Sequence, residues 1–295
     1  MPDTLLNIRN LTIASNNPRR LLIDNLSLSI KKRHSLALVG ENGSGKTTIT
    51  KAILGFLPDN CEILEGDIFF ENTNLKTLSY KKFQKIRGKK IATVLQNAFG
   101  SLTPSMRIGA QIVETLRQHN PITKQEAYAK ALELLSSVCI PNPERCFHLY
   151  PFELSGGMRQ RTVIAISLAS SPELILADEP TTALDSVSQA QVLRILRKVH
   201  KEHHTAMLLV THNLALVTEL CDDIAIIKDG QLVETGNVKE IFSSPQHPYT
   251  KRLLKAVSKI PLTASSSPIL KAKLENLRNT DTLLRNTDTL QTTYD

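Results

Sequence analysis

The residues best suited to chemistry lie in one glycine-rich run at positions 40–48, which spells GENGSGKTT. It matches the pattern G-x-x-x-x-G-K-[ST], in which glycines let successive backbone N–H groups point at phosphate oxygens. A helix that begins there adds the partial positive charge of its N-terminus. Lys46 would reach the β- and γ-phosphates, and the Thr47 hydroxyl would ligate Mg²⁺. The residues predicted to bind ATP phosphates are Gly40, Glu41, Asn42, Gly43, Ser44, Gly45, Lys46, Thr47 and Thr48.

Two adjacent carboxylates, Asp178 and Glu179, follow a short apolar run at 174–177. A buried strand that ends in acid is the expected partner of a phosphate loop. Asp178 would hold Mg²⁺ through its water shell. Glu179 is placed one residue further on, where it can accept a proton from an attacking water. The alternative, a polar strand end without chemistry, is disfavoured by the glycine-rich run upstream.

A third run, LSGGMRQR at 154–161, lies between these two elements and resembles the LSGGQ signature of ABC-type ATPases. Three more motifs of that family lie elsewhere in the chain, in the expected order. Gln96 matches the Q-loop glutamine, the segment TALD with Asp185 matches the D-loop, and His212 matches the switch histidine. The chain contains no N-K-x-D guanine-reading motif, which disfavours a GTPase.

The resemblance implies an α/β fold: a P-loop NTPase (RecA-like) core with an N-terminal antiparallel β-subdomain and an inserted α-helical subdomain. It also implies that the signature contacts ATP held by a second subunit, so that two chains enclose two nucleotides. Ser155 at a helix N-terminus, followed by two glycines, would form this second anion cradle. Gln96 would sense Mg²⁺ and the attacking water, and His212 would steady the γ-phosphate. The signature residues expected at the partner's ATP are Leu154, Ser155, Gly156, Gly157, Met158 and Gln160.

The segments 156–161, 177–185 and 247–250 resemble the dipeptide, oligopeptide and nickel importer branch of this family. At Phe152, which precedes the signature, the chain resembles the nickel-importing members of the branch. The branch implies an ATPase at the cytoplasmic face of a bacterial membrane that powers uptake of peptides or nickel. Its expected partners are a homologous, non-identical ATPase subunit, two integral membrane permease subunits and a periplasmic or extracellular solute-binding protein.

Four places depart from the family pattern. No Tyr or Phe precedes Phe56, so the ring that stacks on adenine is missing. Base binding is expected either to be weaker or to use an apolar residue near 11–15. QNA at 96–98 stands where glutamine, acid and proline are usual. KRH at 32–34 stands where a Gly-Glu turn is common. No cysteine follows Cys221, although many peptide-importing relatives carry a C-terminal cysteine cluster.

Hydrophobic patterning predicts the elements that must position these residues. Alternation at 26–30 indicates a half-buried strand, and short apolar runs indicate further strands at 35–39, 91–95, 174–177, 206–210 and 223–228. Helical patterns lie at 46–56, 108–118, 124–138 and 187–201. Alternating strands and helices imply parallel βαβ units.

The predicted organisation is one ATPase domain over 1–258 with a helical insertion at about 97–157. A flexible tail over 259–295, which contains the duplicated segment LRNTDTL, is expected to follow. No apolar run approaches the roughly 18–20 residues of a membrane-spanning helix. The N-terminus also lacks the apolar segment of a secretory signal.

A net charge of +8 permits contact with nucleic acid, anionic lipid or polyanionic small molecules. Residues 76–90 hold seven basic residues and no acid, either as a solvated face or as a contact for phosphate or lipid headgroups. Four widely spaced cysteines argue for a reducing compartment and against zinc or iron–sulfur sites, and each is expected to be a small buried hydrophobe.

Two other functions are alternatives to an importer subunit. One is a soluble ABC-type ATPase of translation or DNA repair, which the single cassette and its compact insertion disfavour. The other is a non-catalytic nucleic-acid-binding protein, which only the net charge suggests. The intact Lys46 and Glu179 argue against it, so no nucleic-acid partner is expected.

Overall fold

A computed structural model describes residues 3–182 and 184–257 of the chain. Ala183 and the expected tail at 259–295 lie outside the described residues. The strands of the described part are β1 (Thr4–Asn16), β2 (Arg19–Lys31), β3 (Ser35–Val39), β4 (Cys61–Phe70), β5 (Thr73–Asn74), β6 (Ile91–Val94), β7 (Leu174–Asp178), β8 (Ala206–Thr211), β9 (Asp223–Lys228) and β10 (Gln231–Asn237).

The α-helices alternate with these strands in the second half of the chain and cluster between β6 and β7. They are α1 (Lys46–Ile53), α2 (Tyr80–Ile86), α3 (Ala98–Ser101), α4 (Ile108–His119), α5 (Lys124–Ser137), α6 (Pro143–His148), α7 (Gly156–Leu168), α8 (Ser186–Glu202), α9 (Leu214–Leu220), α10 (Val238–Ser243) and α11 (Pro248–Val257). None of the helices described here combines the length and apolar character needed to cross a bilayer.

The larger sheet has six strands in the order β10-β9-β3-β8-β7-β6. Strands β9, β3, β8, β7 and β6 are parallel, and β10 pairs antiparallel with β9. Strands β3, β7 and β8 are buried along their whole length, as their continuous Val, Ile and Leu runs predict. Because carboxyl ends of parallel strands meet at one edge, the residues that follow β3, β7 and β8 come together there.

A second, antiparallel sheet has the order β2-β1-β4-β5. The predicted alternation at 26–30 is confirmed within the longer strand β2, where Leu26, Leu28 and Ile30 are buried and the serines between them are exposed. The buried side chains join one core with Ile49 and Ile53 of α1. The antiparallel sheet therefore packs beside the helix that begins at the phosphate loop.

Helices α4, α5 and α6 pack on one another between β6 and β7, and α7 returns the chain to the sheet. Their core includes Ile108, Ile112, Ala127, Ala131 and Leu135. Helix α5 begins with a capping box in which Thr123 and Glu126 bond each other's backbone N–H groups. The predicted α/β fold with an antiparallel sheet and a helical insertion is confirmed.

Two expectations differ from the structure. The helix predicted over 46–56 ends at Ile53, because Gly55 adopts a left-handed backbone conformation with φ 65°. The burial expected for the cysteines holds for Cys146 alone among the four. Cys139 is exposed in the turn after α5, and Cys61 and Cys221 are only half-buried.

Candidate functional site

The glycine-rich run forms the loop between the end of β3 and the start of α1. Gly45 turns the chain into the helix at φ 102°, where a side chain would clash with the Leu22 carbonyl oxygen. The Lys46 ammonium is buried, and it donates hydrogen bonds of 2.8 Å to each of the carbonyl oxygens of Gly40 and Glu41. Burial lowers the pKa of Lys46, while the nearby Glu179 and Asp178 carboxylates oppose the shift.

The loop also holds polar groups without partners. The Ser44 hydroxyl is buried and has no hydrogen-bond partner among the described residues. Helix α1 has no side-chain cap at Gly45, so the N–H groups of its first turn lack a side-chain acceptor. An unsatisfied hydroxyl and an uncapped helix N-terminus beside a lysine fit a bound phosphate.

Asp178 is the last residue of β7, and its carboxylate faces the start of α1. It accepts hydrogen bonds from the Thr47 hydroxyl and from the Thr50 hydroxyl, the latter at 3.5 Å. Burial raises the pKa of Asp178, and the Thr47 hydrogen bond partly opposes the shift. Adjacent hydroxyl and carboxylate oxygens are the hard ligands that Mg²⁺ prefers.

Glu179 follows Asp178 with a left-handed φ of 48°, which turns its side chain toward the end of β8. One carboxylate oxygen, Oε1, lies 2.6 Å from Nδ1 of His212 and accepts the His212 backbone N–H at 3.1 Å. The other, Oε2, accepts the Thr182 hydroxyl at 3.0 Å. A strained backbone and three hydrogen bonds thus fix the carboxylate at the edge of the site.

These residues border an open cleft of about 530 Å³. The predicted site residues that line it are Asn42, Gly43, Gly45, Lys46, Thr47, Thr48, Gln96, Asp178 and Glu179. Gly40, Glu41 and Ser44 belong to the same loop but do not line the cleft, and His212 contacts the site through Glu179. The structure therefore brings the phosphate loop, the acidic pair and Gln96 to one cleft.

The end of the cleft away from the phosphate loop is where the adenine of a nucleotide would lie. Its lining there is mostly polar and holds no aromatic side chain among the described residues: Ser15, Asn17, Pro18, Arg20, Leu22, Pro58, Asn60 and Cys61. The apolar replacement expected near 11–15 is wrong, because Leu11 and Ile13 are completely buried in the core. The apolar residues of this lining are Pro18, Leu22 and Pro58.

The signature residues lie apart from this cleft at the start of α7. Ser155 caps the helix by accepting the Met158 backbone N–H at 3.3 Å, and both Ser155 and Gly156 are exposed. Leu154 is buried, and Gln160 is buried and donates from Nε2 to the Leu95 carbonyl oxygen at 3.2 Å. A side chain at Gly157 would clash with Ser188 of α8. Ser155 and Gly156 therefore form most of the exposed surface of the signature.

Asp185 of the predicted D-loop caps α8, since one carboxylate oxygen accepts the N–H groups of Val187 at 3.0 Å and Ser188 at 2.9 Å. Hydrogen bonds from Ser188 hold the pKa of Asp185 below its usual range. The sequence motifs did not indicate a role for two neighbours of the site: Thr50, which contacts Asp178, and Thr182, which contacts Glu179. The phosphate-loop pattern ends before Thr50, and the D-loop match included Thr182 without indicating its contact.

Family comparisons agree with this geometry. The protein-family model described as ABC transporter matches residues 23–182, which is more than half of the chain. A second model, described as the C-terminal region of oligopeptide/dipeptide transporters, matches residues 233–282.

The relatives point to the same branch. The dipeptide transport ATP-binding protein DppD of Lactococcus lactis subsp. cremoris is 45% identical over 79% of this chain and 67% of its own length. The oligopeptide transport ATP-binding protein OppD of Bacillus subtilis is 45% identical over 79% of this chain and 65% of its own length. The matched region thus spans about two thirds of these relatives.

Solved structures share the fold. A dimeric, post-hydrolysis state of the ATP-binding cassette MJ0796 bound to ADP and Pi has a TM-score of 0.71 at 27% identity, over 79% of this chain and 99% of that one. cbiO1 from Clostridium perfringens, part of the ABC transporter complex cbiONQ, has a TM-score of 0.71 at 24% identity, over 82% of this chain and 92% of that one. The chain therefore belongs to the ABC transporter family, as an ATP-hydrolysing cassette on its dipeptide and oligopeptide branch.

Proposed function

We propose that ATP binds along the cleft with its γ-phosphate at Lys46 and that Glu179 is the general base. A water would attack the γ-phosphorus and pass a proton to Glu179 while the bond to the β-phosphate oxygen breaks. The His212 ring, 2.6 Å from the same carboxylate, would hold Glu179 and steady the γ-phosphate. The placement of Glu179 immediately after Asp178, at the phosphate loop, supports this assignment.

Thr47, Asp178 and Gln96 are the proposed Mg²⁺ residues. The Thr47 hydroxyl and the Asp178 carboxylate are already in hydrogen-bond contact, and Gln96 lines the same cleft. When bound, Mg²⁺ would neutralise charge on the phosphate oxygens. The raised pKa of Asp178 fits such a site, because a cation there would favour the charged carboxylate that burial disfavours.

A second chain would complete the site, and one observation carries this proposal. None of the residues from Leu154 to Gln160 lines the cleft that holds the phosphate loop. The two helix N-termini proposed to bind phosphate, at α1 and α7, thus lie apart and would not meet at one nucleotide of a single chain. An exposed Ser155 can meet the γ-phosphate of a neighbouring cassette, so that ATP joins two chains and hydrolysis separates them.

The proposed assembly is an importer. The functions of these relatives, dipeptide and oligopeptide transport, favour dipeptides or oligopeptides as cargo over nickel. We infer a homologous, non-identical ATPase as partner, together with two permease subunits and a solute-binding protein, at the cytoplasmic face of a bacterial membrane. A mostly apolar groove of about 590 Å³ beside the Q-loop, lined by Phe56, Arg87, Leu95, Asn97 and Thr115 among others, is the proposed permease contact. Neither a repair or translation ATPase nor a nucleic-acid-binding protein draws support from these relatives.

Two substitutions test the composite site in the isolated chain, where a second copy would take the place of the partner ATPase. Lys46→Ala should abolish ATP binding measured by calorimetry, since it removes the ammonium group that the phosphate loop holds. Ser155→Arg should leave ATP binding intact and abolish hydrolysis, because a bulky side chain would block a second chain. Ser136→Arg, on an exposed face of α5, is the matched control. Normal hydrolysis by Ser155→Arg would contradict the composite site, and unchanged ATP affinity of Lys46→Ala would contradict the loop assignment.

Affinity purification from detergent-solubilised bacterial membranes tests the assembly. The tagged chain should recover a second ATPase and integral membrane proteins. A variant with Leu95→Glu in the groove should recover the ATPase but lose the membrane proteins, because Leu95 is exposed there. Recovery of no membrane protein by the unmodified chain would count against an importer subunit.

A further inference from the structure

The proposed function leaves one surface unused, the segment from Lys76 to Lys90. It carries seven basic residues and no acidic one. Helix α2 turns Phe83 and Ile86 inward, where they pack on the core beside α1. The opposite side of the segment presents exposed residues that we call the basic face: Tyr80, Lys81, Lys82, Lys85 and Lys89.

The charge of the basic face is not compensated within the described chain. Lys81, Lys82, Lys85 and Lys89 form no ion pair or side-chain hydrogen bond with residues 3–182 or 184–257. Lys90, by contrast, bridges Glu71 and Glu173 at 3.0 Å each. Four free ammonium groups on one surface give a positive field that attracts anions.

Aromatic rings are fixed beside these lysines. Tyr80 is 68% exposed and Phe56 is 56% exposed, which is unusual for side chains of this size. The Arg87 guanidinium lies 3.9 Å from the Phe56 ring centroid and 5.9 Å from that of Tyr80, and it donates to the Leu54 carbonyl oxygen at 3.1 Å. The rings therefore stand at the surface in a defined position rather than collapsing into the core.

The basic face is continuous with the proposed permease groove. Phe56 and the Arg87 guanidinium that lies over its ring also line that groove. A cassette docked on a permease through the groove would hold the adjoining basic face toward the bilayer. This orientation rests on the proposed function, whereas the charge and the exposed rings do not.

We propose that the basic face binds the anionic headgroups of the membrane surface. Flexible lysines without fixed partners suit a diffuse anionic surface, on which each cation contributes independently. Tyr80 offers an amphipathic ring of the kind that lies at the headgroup level. A specific acidic protein surface would be expected to use rigid, bidentate arginine pairs, but the arginine of this segment is held by the aromatic rings and by a backbone carbonyl.

Vesicle co-sedimentation of the full chain tests this proposal without any permease, so failure of the importer assignment would not mask it. The chain should bind vesicles that contain phosphatidylglycerol, should not bind pure phosphatidylcholine, and should dissociate as salt rises. The triple variant Lys81→Gln, Lys82→Gln, Lys85→Gln should bind about a hundredfold more weakly, since each lysine near such a surface contributes roughly fivefold.

The matched control removes three exposed lysines elsewhere, with Lys124→Gln, Lys130→Gln and Lys239→Gln. It should bind phosphatidylglycerol vesicles nearly as well as the unmodified chain, and both variants should hydrolyse ATP normally in solution. Equal losses in the two variants would reduce the effect to net charge and overturn the proposal. So would unchanged vesicle binding by the first variant, and if that variant then lost the membrane proteins in affinity purification, the face would be a protein contact instead.

Discussion

Two histidine–carboxylate pairs lie at opposite ends of the central sheet. Glu179 and His212 follow β7 and β8 at the carboxyl ends, with 2.6 Å between Oε1 and Nδ1. Asp222 and His200 lie at the amino ends, with 3.3 Å between Oδ2 and Nε2. The same two chemical groups thus occur beside the cleft and at the edge of the sheet away from it, where His34 Nδ1 also lies 3.7 Å from Oδ2 of Asp222.

The two pairs differ in how fully they are bonded. Asp222 also accepts the backbone N–H of Ser35 at 2.9 Å and its hydroxyl at 2.7 Å, and the second ring nitrogen of His200 lies 3.0 Å from the Thr205 carbonyl oxygen. His200 is 12% exposed, whereas His212 is 57% exposed and its Nε2 meets no partner among the described residues. In the first pair, which we call the saturated pair, both ring nitrogens of His200 face acceptors. In the second, which we call the open pair, Nε2 of His212 is left for substrate.

Glu179→Gln breaks the open pair at the carboxylate and should have the largest effect. The amide cannot accept a proton from water, so single-turnover hydrolysis should fall by about 10²–10⁴-fold, while calorimetry should show ATP binding retained. The closed ATP-bound dimer should then accumulate on size-exclusion chromatography. Glu173→Gln, which removes a surface carboxylate paired with Lys90, is the control. Normal turnover by Glu179→Gln would remove this residue from the role of base.

His212→Ala breaks the same pair from the other side. Glu179 loses its ring partner at 2.6 Å and the γ-phosphate loses a donor, so kcat should fall roughly a hundredfold. The KM for ATP should change little, because His212 does not line the nucleotide cleft. A variant that raised KM and kept kcat would instead place His212 in ground-state binding.

The open pair was predictable because local motifs carry it. Buried strands that end at Val39, Asp178 and Thr211 place the phosphate loop, Glu179 and His212 at one edge, and each strand is recognisable from its apolar run. Parallel topology then brings their ends together. The sequence therefore gives both the parts of the cleft and their common location.

The saturated pair could not be predicted in this way. Asp222 bonds Ser35 across 187 positions of the chain, and no spacing pattern marks such a contact. The same limit applies to Gln160, which matched the signature but is buried against the Leu95 carbonyl oxygen. Side-chain direction depends on how α7 rotates against β6, which a motif does not encode.

Thr182→Val sharpens the comparison by loosening the open pair without breaking it. Valine has nearly the same shape but leaves Oε2 of Glu179 without the donor it has at 3.0 Å. The carboxylate should sample other positions, so kcat should fall about tenfold, equivalent to about 1.4 kcal/mol. The KM for ATP should be unchanged, and Thr182→Ser should restore kcat because it keeps the hydroxyl. Failure of serine to rescue would indicate a packing role for Thr182.

His200→Gln tests the saturated pair and should have the smallest effect. The hydrogen bond to Asp222 raises the pKa of His200 despite its burial, and both ring nitrogens face acceptors, as the charged form requires. Bonds from His200 and Ser35 hold the pKa of Asp222 below its usual range although burial opposes them. Loss of the charged hydrogen bond should lower the free energy of unfolding by about 1 kcal/mol at pH 6 and leave kcat unchanged.

The pH dependence gives this prediction its sign. A raised folded-state pKa means that protonated His200 stabilises the fold fully below its unfolded value near 6.5, and that this contribution is lost as pH rises through the folded value. Urea unfolding of the unmodified chain should therefore show stability falling above about pH 6.5, relative to His200→Gln, which lacks the titrating ring. Equal slopes in the unmodified chain and His200→Gln would mean that folding does not favour protonation of His200, and the contrast between the two pairs would then rest on exposure alone.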